Sequence, residues 1–331
     1  MTDTVQDDES LIIETVTRSA VVPAELAGQR LDRAAAEIWS DFSRSKIRQW
    51  IEAGDLTVDG KTVLPRFKLS GGEQIAVATT IEPVIDFAPE AISFERVYED
   101  SDIIVVNKPP GLVVHPGAGN PRGTLLNALL HYDSALAAVP RAGLVHRLDK
   151  DTSGLMVIAR NLSAQQQLAA MIEAHEVIRN YAAVCQTVLT GGGVVDAPID
   201  RNPRDRTRMA VRQGGRAART HYRVLQRFRA HTHIELTLET GRTHQIRVHM
   251  AHIRAPLVGD PVYGGRPRLP SGPSDRLREL LQQFPRQALH ARSLQFAHPR
   301  SGEPMNFSAP LPEDMQHLLT ELARDLAEHG R

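Results

Sequence analysis

The segment EPVIDFAPEAI, beginning at residue 82, carries two prolines and three acids with no apolar period, and it interrupts two stretches that are strongly patterned. A break of that kind predicts a linker at 82–95, with a small domain at 21–81 and a larger one at 96–331. A chain of 331 residues exceeds the usual size of one domain, which agrees with this division. Residues 1–20 are polar and acidic and lack a period, so they predict a mobile arm.

Inside the small domain, LDRAAAEIW and SRSKIRQWIEAG have helical spacing, with Ser43 placed as N-cap and Gly54 as C-cap of the second helix. DLTVDGKTV predicts a hairpin, because Asp59-Gly60 between alternating segments is a strong short turn signal. Gly60-Lys61-Thr62 resembles the end of a phosphate-binding loop, but Gly54 stands one residue too far upstream for that pattern. No glycine fingerprint for a dinucleotide follows a strand either, so no nucleotide cofactor is expected.

The larger domain opens with the run IIVV, halted by Lys108-Pro109-Pro110-Gly111. GLMVIAR, YAAVCQTVL, THYRVLQRF and HIELTLET predict further strands, and TLLNALLHY, SAQQQLAAMIEAH, SDRLRELLQQF and PEDMQHLLTELARDLAEH predict helices. Strands and helices do not alternate strictly. The expected class is therefore α+β with a mixed sheet.

A single cysteine, Cys185, excludes an internal disulfide and a multi-thiolate metal site. With no signal-peptide pattern and no apolar run near membrane length, a cytoplasmic protein is expected. The net charge is zero, yet ten arginines stand between Arg201 and Arg229 against one acid, Asp205. Lacking local acids, this cluster is expected to stay unpaired until an anion such as RNA phosphate neutralises it.

Two segments concentrate reactive side chains. HRLDKDTSG places His146, Arg147, Asp149 and Lys150 in a turn-rich run before a strand, and a plainer reading makes Asp149 through Gly154 simple turn formers. GRTHQIRVHMAH gathers Arg242, His244, Gln245, Arg247, His249 and His252, and an arginine there could pair with an inward carboxylate. The three histidines stand five and three residues apart, a spacing that matches no common zinc pattern, so no metal is expected.

HRLDKDTSGL resembles the nucleophile motif of the large pseudouridine synthase family that includes bacterial ribosomal-RNA enzymes. NKPPGLVVHP, TGRTHQIRVHMAHIRAPLVGDPVYGG and RQALHARSLQFAHPRSG resemble its other blocks in the same order, across roughly residues 97 to 310. Residues 28–77 resemble an S4 RNA-binding domain, whose basic helix matches Ser43, Arg44, Lys46 and Arg48. The resemblance implies a mixed-sheet synthase domain behind a small α/β RNA-binding domain. It also implies an isomerase needing no cofactor and acting on ribosomal RNA; a monomer is the default expectation, with no membrane partner. Helix 69 of the 23S RNA is the implied target.

By the same resemblance Asp149 is the essential carboxylate and Arg247 its ion-pair partner. Tyr181, in VIRNYAAV, stacks on the uracil and serves as a base, and Arg147 fills the space left by the flipped nucleotide. Arg242 and His244 belong with the RNA-binding residues. Cys185 and Gln186 stand where relatives often have a glycine, a departure expected to alter only a local turn. Two rival readings remain, a non-catalytic RNA-binding factor and a nucleoside hydrolase.

Overall fold

The computed structural model describes residues 14–40, 42, 44–81, 87–117, 120–205 and 208–329. By contact density the chain forms two units, residues 1–86 and 87–331. None of the helices among the described residues is long and apolar enough to cross a membrane.

The first unit contains β1 (Glu14–Val21), α1 (Leu31–Ile38), α2 (Arg44–Ala53), β2 (Leu56–Val58) and β3 (Gln74–Ile81). The mobile arm expected at 1–20 overlaps a strand at its described end. Residues 14–20 form most of β1, paired antiparallel with β3 from Glu14↔Ile81 to Val21↔Gln74, while residues 1–13 lie outside the described part. Backbone pairing with a distant strand supplies order that a polar local sequence does not reveal.

The Asp59-Gly60 turn exists, with both residues at positive φ (47° and 73°), but its return arm is reduced to the single bridge Val58↔Lys61. The strand partner of β2 is β3 instead, in the order β1-β3-β2. Ile47, Trp50 and Ile51 recur at helical spacing on α2 and meet Leu31, Ala34 and Ala35 of α1 in one buried cluster. Gly54, at φ 85°, ends α2 with its N–H bonded to the Ile51 carbonyl at 3.2 Å. Ser43, the expected N-cap, lies outside the described residues.

The second unit runs β4 (Glu95–Glu99), β5 (Ile103–Lys108), α3 (Leu125–Tyr132), β6 (Ser153–Ala159), α4 (Leu162–Glu173), β7 (Ile178–Cys185) and β8 (Gly193–Asp196). It continues with β9 (Ile199–Arg201), β10 (Met209–Val211), β11 (Arg219–Arg227), β12 (Thr232–Leu238) and α5 (Gln245–His252). α6 (Asp275–Gln283), β13 (Leu289–Ala297), β14 (Pro304–Ser308) and α7 (Glu313–His329) complete it. One nine-stranded sheet has the order β4-β5-β6-β13-β7-β12-β11-β8, with β14 also on β13. Only β6 and β13 pair in parallel, so the sheet is mixed.

Helices cover both faces, which explains why IIVV is continuous rather than alternating. Ile104 and Val106 pack with α3 and α5 side chains, whereas Ile103 and Val105 face Ala164 and Leu168 of α4. Gly154 is a strand residue of β6, not a turn former. At φ 117° it crosses β13 so closely that a Cβ there would sit 2.3 Å from the Ala291 carbonyl oxygen.

Candidate active site

Asp149 ends the loop that enters β6, and each of the next four residues is tied down from another element. Lys108, fully buried, donates from Nζ to the carbonyls of Pro109, Leu112 and Lys150, each at 2.9 Å. Burial pushes its amine down to about 7, but three acceptors call for the three protons of the ammonium form. Arg286 donates to the Asp151 carbonyl at 3.1 Å, Gln287 to Thr152 Oγ1 at 3.1 Å, and Ser153 Oγ meets His290 Nδ1 at 2.9 Å. The loop is thereby a rigid mount rather than a loose turn.

Arg247 arrives on α5. Its Nη1 lies 3.0 Å from Asp149 Oδ2, while Nε and Nη2 grip Asp260 at 2.7 and 2.9 Å. Asp260 Oδ1 also accepts the backbone N–H groups of Val262 and Tyr263, both at 2.9 Å. Burial opposes the charge on Arg247, but the two carboxylates hold it firmly protonated. Burial likewise opposes ionisation of Asp260, and Arg247 with the two N–H donors overcomes this, leaving its carboxyl below the usual range.

His244 precedes α5 in a left-handed conformation, φ 55°. Tyr263 Oη accepts the Met209 N–H at 3.0 Å and meets His244 Nδ1 at 2.9 Å, which leaves Nε2 as the ring's other polar atom. That Nε2 lies 4.0 Å from Asp149 Oδ1. Burial keeps the His244 ring below its ordinary pKa, and Asp149 only partly offsets this.

Asp149, His244 and Arg247 line one cleft of about 910 Å³. Asp149, Arg147, Tyr181, Arg242, His244 and Arg247, all expected from sequence, meet there. Arg147 is exposed on the rim, and Tyr181 is buried on β7. Burial raises the Tyr181 phenol, and Asp149 adds to the effect while Arg179 works against it. Arg242 donates Nε to the Ala217 carbonyl at 3.0 Å. Burial, then the neighbouring Arg216, works against its charge.

Arg44, Lys46 and Arg48 lie on α2 in the other unit. Arg44 is not free for RNA alone, since it binds Asp32 Oδ2 at 2.8 Å. Arg48 pairs with Glu52 in an exposed contact, and Lys46 sits over the Trp50 ring.

The arginine run corrects the expectation drawn from its local composition. Arg219 pairs with Asp196 and Glu239, Arg223 with Glu235, and Arg229 with Asp325, all acids brought in by distant segments. Arg216 remains exposed on the cleft wall. Arg206 lies outside the described residues.

Gln186 does more than shape a turn. It donates to the carbonyls of Leu257 and Gly264 at 3.2 and 3.0 Å and accepts the Arg268 N–H at 2.8 Å, bracing the segment that carries Asp260. His249 bonds Thr220 Oγ1 and the Ala197 carbonyl, both at 2.9 Å, so both ring nitrogens are engaged within the protein. Sequence reasoning assigned no role to Lys108, Arg179 or Asp260. Their signal was present only as membership in the quoted motifs.

A family model described as RNA pseudouridylate synthase matches residues 102–252, and an S4 domain model matches residues 29–75. The chain is 56% identical over 321 residues to the ribosomal large subunit pseudouridine synthase D of Xanthomonas campestris, covering 97% of both chains. It is 53% identical over 317 residues to the protein of the same name from Escherichia coli K12, covering 96% of this chain and 97% of that one. Among solved structures, human RNA pseudouridylate synthase domain containing 4 aligns with a TM-score of 0.54 and 26% identity, over 69% of this chain and 93% of that one.

Proposed function

Because the chain belongs to the RNA pseudouridine synthases, with an S4 domain ahead of the catalytic one, we propose that it converts uridines of large-subunit ribosomal RNA to pseudouridine, with helix 69 of the 23S RNA as its target. The observation that carries this reading is the carboxylate of Asp149, anchored through Oδ2 by Arg247, with Oδ1 left toward a basic cleft beside Tyr181.

The reaction breaks the C1′–N1 bond, turns the uracil and forms C1′–C5, with the C5 proton lost and one gained at N1. It is an isomerisation, and no external donor or redox partner enters it. Asp149 Oδ1 serves as nucleophile toward the ribose or as stabiliser of its cationic form, as carboxylates do in glycoside cleavage. The uridine reaches it by leaving the base stack, which costs a few kcal/mol. Arg147, exposed on the rim, fills the vacated space. Tyr181 offers a flat buried surface against which the detached uracil is retained while it turns. Lys46 and Arg48 on α2 supply charge for the RNA backbone from the S4 unit. The protein acts as a monomer in the cytoplasm.

The test is to incubate the purified protein with a large-subunit RNA fragment containing helix 69 and map pseudouridine by carbodiimide-blocked reverse transcription. Modification at helix 69, missing from ribosomes of a deletion strain, is the expected result. Persistence of those pseudouridines in the deletion strain overturns the target, and release of free uracil favours a hydrolase.

A further inference from the structure

Three arginines are buried to 6% exposure or less among the described residues: Arg179, Arg247 and Arg286. Two of them are saturated. Arg247 holds Asp260 and Asp149, and Arg286 holds Asp314 and three backbone carbonyls. The side chain of Arg179 has no ion pair or hydrogen bond among the described residues, and its Nε is sealed from solvent without a partner. An isolated buried charge is costly, so it persists where something outside the free protein compensates it.

Arg179 and Tyr181 are two apart on β7 and share one face, both lining the cleft. Space is kept for the guanidinium by Gly241, where a Cβ would come within 3.0 Å of Arg179 Nη1. Beside it, His146 Nε2 accepts the Val157 N–H at 3.1 Å, so the imidazole proton sits on Nδ1, another sealed donor without a partner. Of the acids lining the cleft, Glu239 is held by Arg219 and His221 and Asp149 by Arg247 through Oδ2, while Glu173 is exposed, and none of the three pairs with Arg179. Around the guanidinium itself the wall offers donors and positive charge, the sealed Arg179 Nε and His146 Nδ1.

We propose that Arg179 receives a backbone phosphate of the substrate RNA adjoining the flipped uridine, an inference that rests on the pseudouridine synthase reading above. A planar guanidinium fork matches two phosphate oxygens. The uracil edge suits it less well, because N3–H is a donor and a guanidinium has no acceptor to offer it. Spacing along the strand, about 7 Å from Tyr181, suits a base held at Tyr181 with its own or the next phosphate at Arg179.

The experiment is a cycle between Arg179→Gln and a helix 69 hairpin carrying a neutral methylphosphonate at single linkages on either side of the target uridine. Arg179→Gln is expected to raise KM roughly 10- to 100-fold with a smaller effect on kcat. One methylphosphonate position should cost the wild type a similar factor and cost Arg179→Gln almost nothing, since the partner is already gone. Arg179→Lys should recover part of the loss through its charge. The free Arg179→Gln protein should melt at the same or a higher temperature, because an uncompensated charge has been removed; a purely structural arginine would lower it. Penalties that multiply at every linkage, or a KM unchanged in Arg179→Gln, overturn the proposal. A wild-type protein that forms no pseudouridine in the unmodified hairpin defeats the functional reading instead.

Discussion

Asp32 in the first unit and Asp149 in the second are both carboxylates set against arginine, with opposite stoichiometry. Asp32 is one carboxylate shared by two arginines: Arg30 binds Oδ1 and Oδ2 at 3.0 and 3.1 Å, and Arg44 adds contacts to Oδ2 at 3.1 and 2.8 Å. Its side chain is 3% exposed. At Asp149 the ratio reverses, with one arginine shared by two carboxylates, and Asp260 takes two of the three bonds. Asp149 keeps one oxygen uncommitted and remains 18% exposed. A carboxylate with both oxygens engaged can hold a fold together, whereas chemistry needs one that is oriented yet still has a lone pair to offer.

The largest expected effect separates the two roles directly. Asp149→Asn should lower pseudouridine formation by roughly 10⁴-fold or more while RNA binding and melting temperature stay near wild type. Single-turnover assays beside filter binding would measure it, and appreciable turnover would sink the assignment of the essential carboxylate. Next comes Asp260→Asn, which leaves Arg247 buried with only Asp149. It should cost on the order of 3 kcal/mol of stability, as breaking a buried pair does, and reduce turnover by about 10-fold or more. A stable, fully active Asp260→Asn protein would mean that Arg247 needs no second carboxylate.

A pH experiment sharpens the contrast between the units. All 14 histidines lie at residue 115 or beyond, and both tryptophans, Trp39 and Trp50, lie in the first unit. Burial pushes His231 and His290 down to about 4 from an ordinary 6.5. Their folded pKa values are depressed, so the unfolded chain binds the extra protons as pH falls. Stability is full above 6.5 and is lost between 6.5 and 4, by on the order of 3 kcal/mol for each. Circular dichroism, dominated by the second unit, should therefore melt earlier as pH drops through this window, while the tryptophan transition of the first unit holds. Transitions that shift together would show that the units unfold as one.

The smallest expected effect belongs to Asp32→Asn. Its arginine partners are 48% and 54% exposed and can turn to water, so the cost should be about 1–2 kcal/mol. Chemical denaturation followed by tryptophan fluorescence reads it, and kcat on a saturating RNA should not move. A fall in kcat would give Asp32 a part in catalysis that its engaged oxygens argue against.

Much of this protein was determined locally. The helical spacing of Ile47, Trp50 and Ile51, the Asp59-Gly60 turn and the doubly buried IIVV run follow from side-chain period and backbone preference, which act over a few residues. The motif around Asp149 was legible because its residues are contiguous. Tertiary structure decided what depends on pairs far apart in the chain. β1 needs β3 about sixty residues on, and β13, too polar in sequence to announce a central strand, is buried by its neighbours in the sheet. The arginine run draws its acids from Asp196, Glu235, Glu239 and Asp325. Composition counts charges without saying which meet, so only the folded chain distinguishes Arg247, held by two carboxylates, from Arg179, buried with none.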